Sequence, residues 1–107
     1  MDILISSNLE RLIYEIAGYD AEATKGFMKN LSGAGSYEIT DEMRERLSPF
    51  YGGFATEAQG ARQIAGTFER CGYVMDTHTA VAAAVAAAYQ EKTGDTARML
   101  IASTASP

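Results

Sequence analysis

Met1-Asp2-Ile3-Leu4-Ile5-Ser6-Ser7-Asn8-Leu9-Glu10-Arg11-Leu12 opens the chain and sets its fold class. Ile3, Leu4 and Ile5 form an unbroken apolar run, which predicts a short buried strand near residues 2–6. Ser6-Ser7-Asn8 follows as a helix N-cap, and Leu9, Leu12, Ile13 and Ile16 then recur at helical spacing. The far end answers with Met99-Leu100-Ile101-Ala102, a second short apolar run that predicts a strand near 98–103. Two short strands this far apart do not make a stable sheet by themselves. The expectation is therefore an α/β fragment, mostly helical, with about five helices and two strands that belong to a larger sheet.

Between these ends the periodicity is helical. Gly18 stops the first helix and Asp20 caps a second, with Ala23, Phe27, Met28 and Leu31 on its apolar face. Ser32-Gly33-Ala34-Gly35-Ser36 reads as a flexible break, and Tyr37 to Ile39 as briefly extended. Thr40 or Asp41 opens a third helix with Met43, Leu47 and Phe50 inward, ending near Leu47 or Ser48 ahead of Pro49. Thr56-Glu57-Ala58-Gln59 fits a capping box for a fourth, with Ala61, Ile64, Ala65 and Phe68 apolar and Gly72 at its end. Asp76 or Thr77 opens a fifth that runs to Gly94. Its alanine content predicts close approach by a neighbour and a buried helix.

The chain has 107 residues, 47% hydrophobic and 21% charged, which suits one globular domain or a part of a larger one. Fourteen acidic against nine basic residues give a net charge of -5. Such a chain gains no counterion release on nucleic acid, so none is expected as a partner. The apolar run from Ala80 to Ala88 is far below the roughly 20 residues that span a bilayer, and no membrane association is expected. One cysteine, Cys71, and one histidine, His78, are too few for a zinc cage, and the lone thiol suits a reducing cytoplasm. No signal peptide is evident at the start.

Three polar corners can carry chemistry. The Ser6-Ser7-Asn8 corner offers hydroxyls and backbone N–H groups at a positive helix end, where a phosphate or carboxylate can sit; plain N-capping is the commoner use. Asp76-Thr77-His78-Thr79 opens the fifth helix, and His78 there is an acid, a base, a ligand contact or simply a first-turn residue. Ser103-Thr104 follows the last expected strand, either as a turn or where ligands sit in α/β folds. Tyr37, Tyr51, Tyr73 and Tyr89 read as packing residues, and Met28, Met43, Met75 and Met99 as core fillers. Cys71 reads as an inert buried thiol.

Three stretches together resemble the microbial threonine synthases. They are Met1–Leu12; Cys71-Gly72-Tyr73-Val74-Met75-Asp76-Thr77-His78-Thr79-Ala80-Val81-Ala82; and Leu100-Ile101-Ala102-Ser103-Thr104-Ala105-Ser106-Pro107. Thr77 departs from the family, which usually has Pro there. The resemblance implies the C-terminal part of that family's pyridoxal phosphate (PLP) domain over residues 1–107, in the fold shared with the tryptophan synthase β chain. The family converts O-phosphohomoserine and water into threonine and phosphate. Its PLP acts as an electron sink that the protein orients.

By resemblance, Thr104 matches the position whose hydroxyl bonds the pyridine nitrogen, Ser103 flanks it, Asp76 and His78 lie near the cofactor rim, and Asn8 faces the same cleft. The family's Schiff-base lysine and glycine-rich phosphate cup belong to upstream motifs that do not occur here. Lys25, Lys29 and Lys92 stand in no matching context. The chain is therefore expected to be inactive alone, not to retain PLP, and to self-associate through faces left uncovered. The alternative is a small self-contained helical interaction module without catalysis.

Overall fold

The computed structural model describes residues 6–107. Five helices follow one another: α1 Ser7–Ile16, α2 Ala21–Ala34, α3 Asp41–Leu47, α4 Glu57–Cys71 and α5 Thr77–Thr93. They fall into two compact units, one ending at Phe50 and the other running from Tyr51 to Pro107.

The α/β expectation is corrected: among the described residues there is no strand. The strand expected near 2–6 lies outside the described residues except for Ser6, which is the N-cap of α1. The strand expected near 98–103 is not formed; those residues carry no regular structure. A strand exists only through ladder hydrogen bonds to another strand, and an apolar run without a partner backbone stays irregular.

In the first unit, Ser6 accepts from the Leu9 N–H at 3.3 Å and Asp20 from the Ala23 N–H at 3.0 Å, so each side chain satisfies one of its helix's orphan donors. Ile13 and Ile16 on α1 meet Met43 on α3 in a small core, with Leu12, Phe27, Met28, Tyr37, Ile39 and Leu47 packed around it. Arg46 donates from Nη1 to the Ile16 carbonyl at 2.9 Å, placing a cation on the negative end of α1. The chain leaves α1 through left-handed Gly18 (φ 76°) and Tyr19 (φ 64°). The left-handed φ favours glycine at Gly18; a Cβ there would stand 3.0 Å from Arg46 Nη1, the tip of a flexible side chain that can give way. Two sequence expectations fail here. α2 continues through the Ser32–Ala34 stretch read as a break, to a left-handed Gly35. Phe50, expected inward, is 53% exposed because α3 ends three residues before it.

In the second unit, α4 packs on α5. The capping box is present in full: Gln59 N–H donates to Thr56 Oγ1 at 3.3 Å, and Thr56 N–H to Gln59 Oε1 at 2.7 Å. The helices meet where buried Gly60 faces Ala80, which has no exposed surface. The apolar face expected for α4 was rotated from the real one: Ala61, Ala65 and Phe68 are exposed, while Gly60 is buried and Ile64 half-buried. α5 is not the buried helix expected, since only Thr79 and Ala80 on it are buried. Small side chains permit close approach, but close contact occurs only where a neighbour is present.

Candidate functional site

The richest polar arrangement lies at the start of α5. Asp76 is its N-cap and is buried at 5% exposure. Asp76 Oδ1 accepts from the His78 N–H at 2.8 Å and the Thr79 N–H at 3.0 Å, and Oδ2 accepts from the Thr79 hydroxyl. The Thr79 side-chain bond is the main cause holding the Asp76 carboxyl below its ordinary range. The backbone N–H bonds of Thr79 and His78 add to it, against an opposing push from burial. The positive end of α5 is thus already occupied by an anion.

The segment that closes the chain comes back to this helix start. Ser103 Oγ stands 3.3 Å from Thr79 Oγ1 and 3.3 Å from the Tyr73 hydroxyl in the α4–α5 loop. An open cavity of about 400 Å³ is lined by Met75, Asp76 and His78 from the start of α5 and by Ala105, Ser106 and Pro107 from the last segment. Among the residues singled out from sequence, the fold joins Asp76 to Ser103 through Thr79, with His78 and Thr104 adjacent. His78 is exposed on the first turn of α5, and Thr104 is exposed next to Ser103. Asn8 is exposed on the first turn of α1, in the other unit.

Sequence reading missed two members of this arrangement. Thr79 sits three residues after the cap, at the position where a side chain can return to the N-cap, so the Asp-x-x-Thr spacing could have found it. Tyr73 reads from sequence as packing, and its hydroxyl partner lies 30 positions away, which no local signal reveals. Two further readings are corrected. Cys71 is exposed rather than buried, its thiol donating to the Thr67 carbonyl at 3.2 Å. Met99 is 38% exposed rather than in a core.

No family model matches the chain. Human threonine synthase-like 1 is 34% identical over 94 residues, covering 87% of this chain and 13% of that protein. The threonine synthase of Methylobacillus glycogenes is 32% identical over 94 residues, covering 85% of this chain and 20% of that enzyme. Among solved structures, the PLP-bound threonine synthase of Brucella melitensis superposes on all of this chain with a TM-score of 0.80 at 37% identity. This chain is related to the threonine synthases. The relationship spans nearly the whole chain but only 13% to 20% of those sequence relatives and 23% of the Brucella enzyme. The match falls in the C-terminal portion of the relatives. Among the described residues no helix is long and apolar enough to cross a membrane, and no three His, Cys, Asp or Glu side chains group as metal ligands.

Proposed function

We propose that this chain supplies one wall of the PLP site of a threonine synthase, with the Thr104 hydroxyl donating to the pyridine nitrogen and Ser103 beside it. The carrying observation is that Ser103, one residue before Thr104, accepts from the Thr79 hydroxyl at the start of α5, whose residues Asp76 and His78 line a cavity together with Ala105 to Pro107. The groups present suit the ring end of the cofactor: a neutral hydroxyl can donate to a nitrogen lone pair without holding it protonated. They do not suit its phosphate, because the free N–H groups at the start of α5 already serve the Asp76 carboxylate, and a second anion there meets like charge. PLP, when bound, supplies the electron sink for the reaction. Thr104 would orient and tune the ring; Asp76 and Thr79 order the start of α5, and His78 on its first turn would be near enough to contact the bound group.

The reaction of such an enzyme turns O-phosphohomoserine and water into threonine and phosphate. This chain alone does not perform it. Its three lysines, Lys25, Lys29 and Lys92, lie on the helices α2 and α5, outside any context resembling a Schiff-base lysine. Two measurements test the reading. PLP added to the purified chain should leave the cofactor's absorbance unchanged, and O-phosphohomoserine should release no phosphate; turnover would defeat the inactive assignment. The chain should also be exchanged for the matching segment of the Brucella enzyme. In that chimera Thr104→Ala should lower kcat while Thr104→Ser keeps most of it. Equal activity in all three versions would remove Thr104 from the site.

A further inference from the structure

Tyr73, Ser103, Thr79 and Asp76 line up four side-chain oxygen groups in one file. The Asp76 carboxyl is ionised at neutral pH and so only accepts. The Thr79 hydroxyl is aligned to donate to Asp76 Oδ2 and to Ser103 Oγ, 3.3 Å away, and its single proton serves one of them at a time. Ser103 Oγ also stands 3.3 Å from the Tyr73 hydroxyl, where either oxygen can be the donor. The contacts run from Tyr73 to Ser103 to Thr79 to Asp76.

We propose that Tyr73, Thr79 and Asp76 are positioning residues for Ser103 and Thr104, the file of side-chain oxygens holding this segment against α5. Ser103 is gripped from two sides, by the α4–α5 loop and by the first turn of α5. Adjacent Cα atoms are about 3.8 Å apart, so fixing Ser103 leaves Thr104 little freedom to swing. The inner end of the file is the firm one, since Asp76 and Thr79 are both buried. The outer end competes with water, since Tyr73 is 48% exposed. Bonds in such a file polarise one another, so breaking one weakens the others. The use of Thr104 rests on the PLP reading; the clamp on Ser103 does not.

Backbone ¹⁵N order parameters of Ser103 and Thr104, measured on the 107-residue chain without cofactor, test it. The unaltered chain should give values near about 0.85, Thr79→Val should drop them below about 0.6, and Tyr73→Phe should fall between. The double variant should fall no further than Thr79→Val alone, and Thr79→Ser, which keeps the hydroxyl, should restore the unaltered values. Values already below about 0.6 in the unaltered chain, values that stay put in both variants, or failure of Thr79→Ser to restore them would overturn the proposal. Should Thr79→Val loosen α5 itself, Tyr73→Phe, altered at the surface, still decides the matter. No PLP enters this measurement. A clamp that holds while Thr104→Ala leaves the chimera unaffected would sink only the cofactor reading, and the reverse would sink only the clamp.

Discussion

Asp76 concentrates more bonds than any other side chain in the second unit, and its charge makes them sensitive to acid. Its carboxyl is held below the ordinary value near 3.8 by the Thr79 hydroxyl and the N–H groups of Thr79 and His78. A carboxyl with a lowered folded value contributes stability that is complete above the unfolded value and is lost as pH falls through the folded one. The expected outcome is that thermal unfolding of the unaltered chain exceeds that of Asp76→Asn most at pH 6–7. The gap should narrow as the buffer is taken below the ordinary carboxyl range. A gap that stays constant to the most acid point would mean the carboxylate form contributes nothing. The start of α5 was legible from sequence as Asp76 or Thr77, and the structure makes Asp76 the cap. Its bond to Thr79, and through it to Ser103, was not, because the second step joins positions 24 apart.

At the scale of elements, every helix start expected from sequence is where Ser, Thr or Asp offers an oxygen to a backbone N–H. Capping is a contact over three residues, so sequence carries it directly. Which face a helix turns inward is a different matter, and α4 shows why. Phe68 is apolar but 54% exposed, while Gly60 is buried because it admits α5 closely. A similar approach occurs just before α4, where a Cβ on Gly53 would lie 2.6 Å from Val85 Cγ1. Val85 is branched at Cβ and stiff about χ1, so it cannot swing aside without strain. Gly53→Ala is expected to destabilise the chain by about 1–3 kcal/mol, read from urea unfolding. Unchanged stability would show that the loop before α4 yields instead.

The described residues bury little. The buried apolar residues among those described are Ile13, Ile16, Met43, Met75 and Ala80, and none of the large side chains is completely covered. Phe54 at 88% and Leu100 at 99% exposure stand in water, with Phe50, Phe68 and Val74 about half out. Apolar surface of this kind on a small chain favours association. Sedimentation velocity should show mass rising with concentration, and Leu100→Lys should reduce the rise; a monomer at all concentrations would show that these side chains do not associate. Sequence by itself determined what depends on neighbours along the chain: the five helices, their Ser, Thr and Asp caps, the Thr56–Gln59 box and the kinship with threonine synthases carried by three motifs. Only the tertiary structure decided that Met99–Ala102 forms no strand and that α5 is half-covered rather than buried. It alone brought Tyr73 and Thr79 to Ser103. The division is physical: caps and turns are closed by atoms a few residues apart, whereas a strand, a buried face or a long-range hydroxyl contact exists only when a distant part of the polypeptide arrives to complete it.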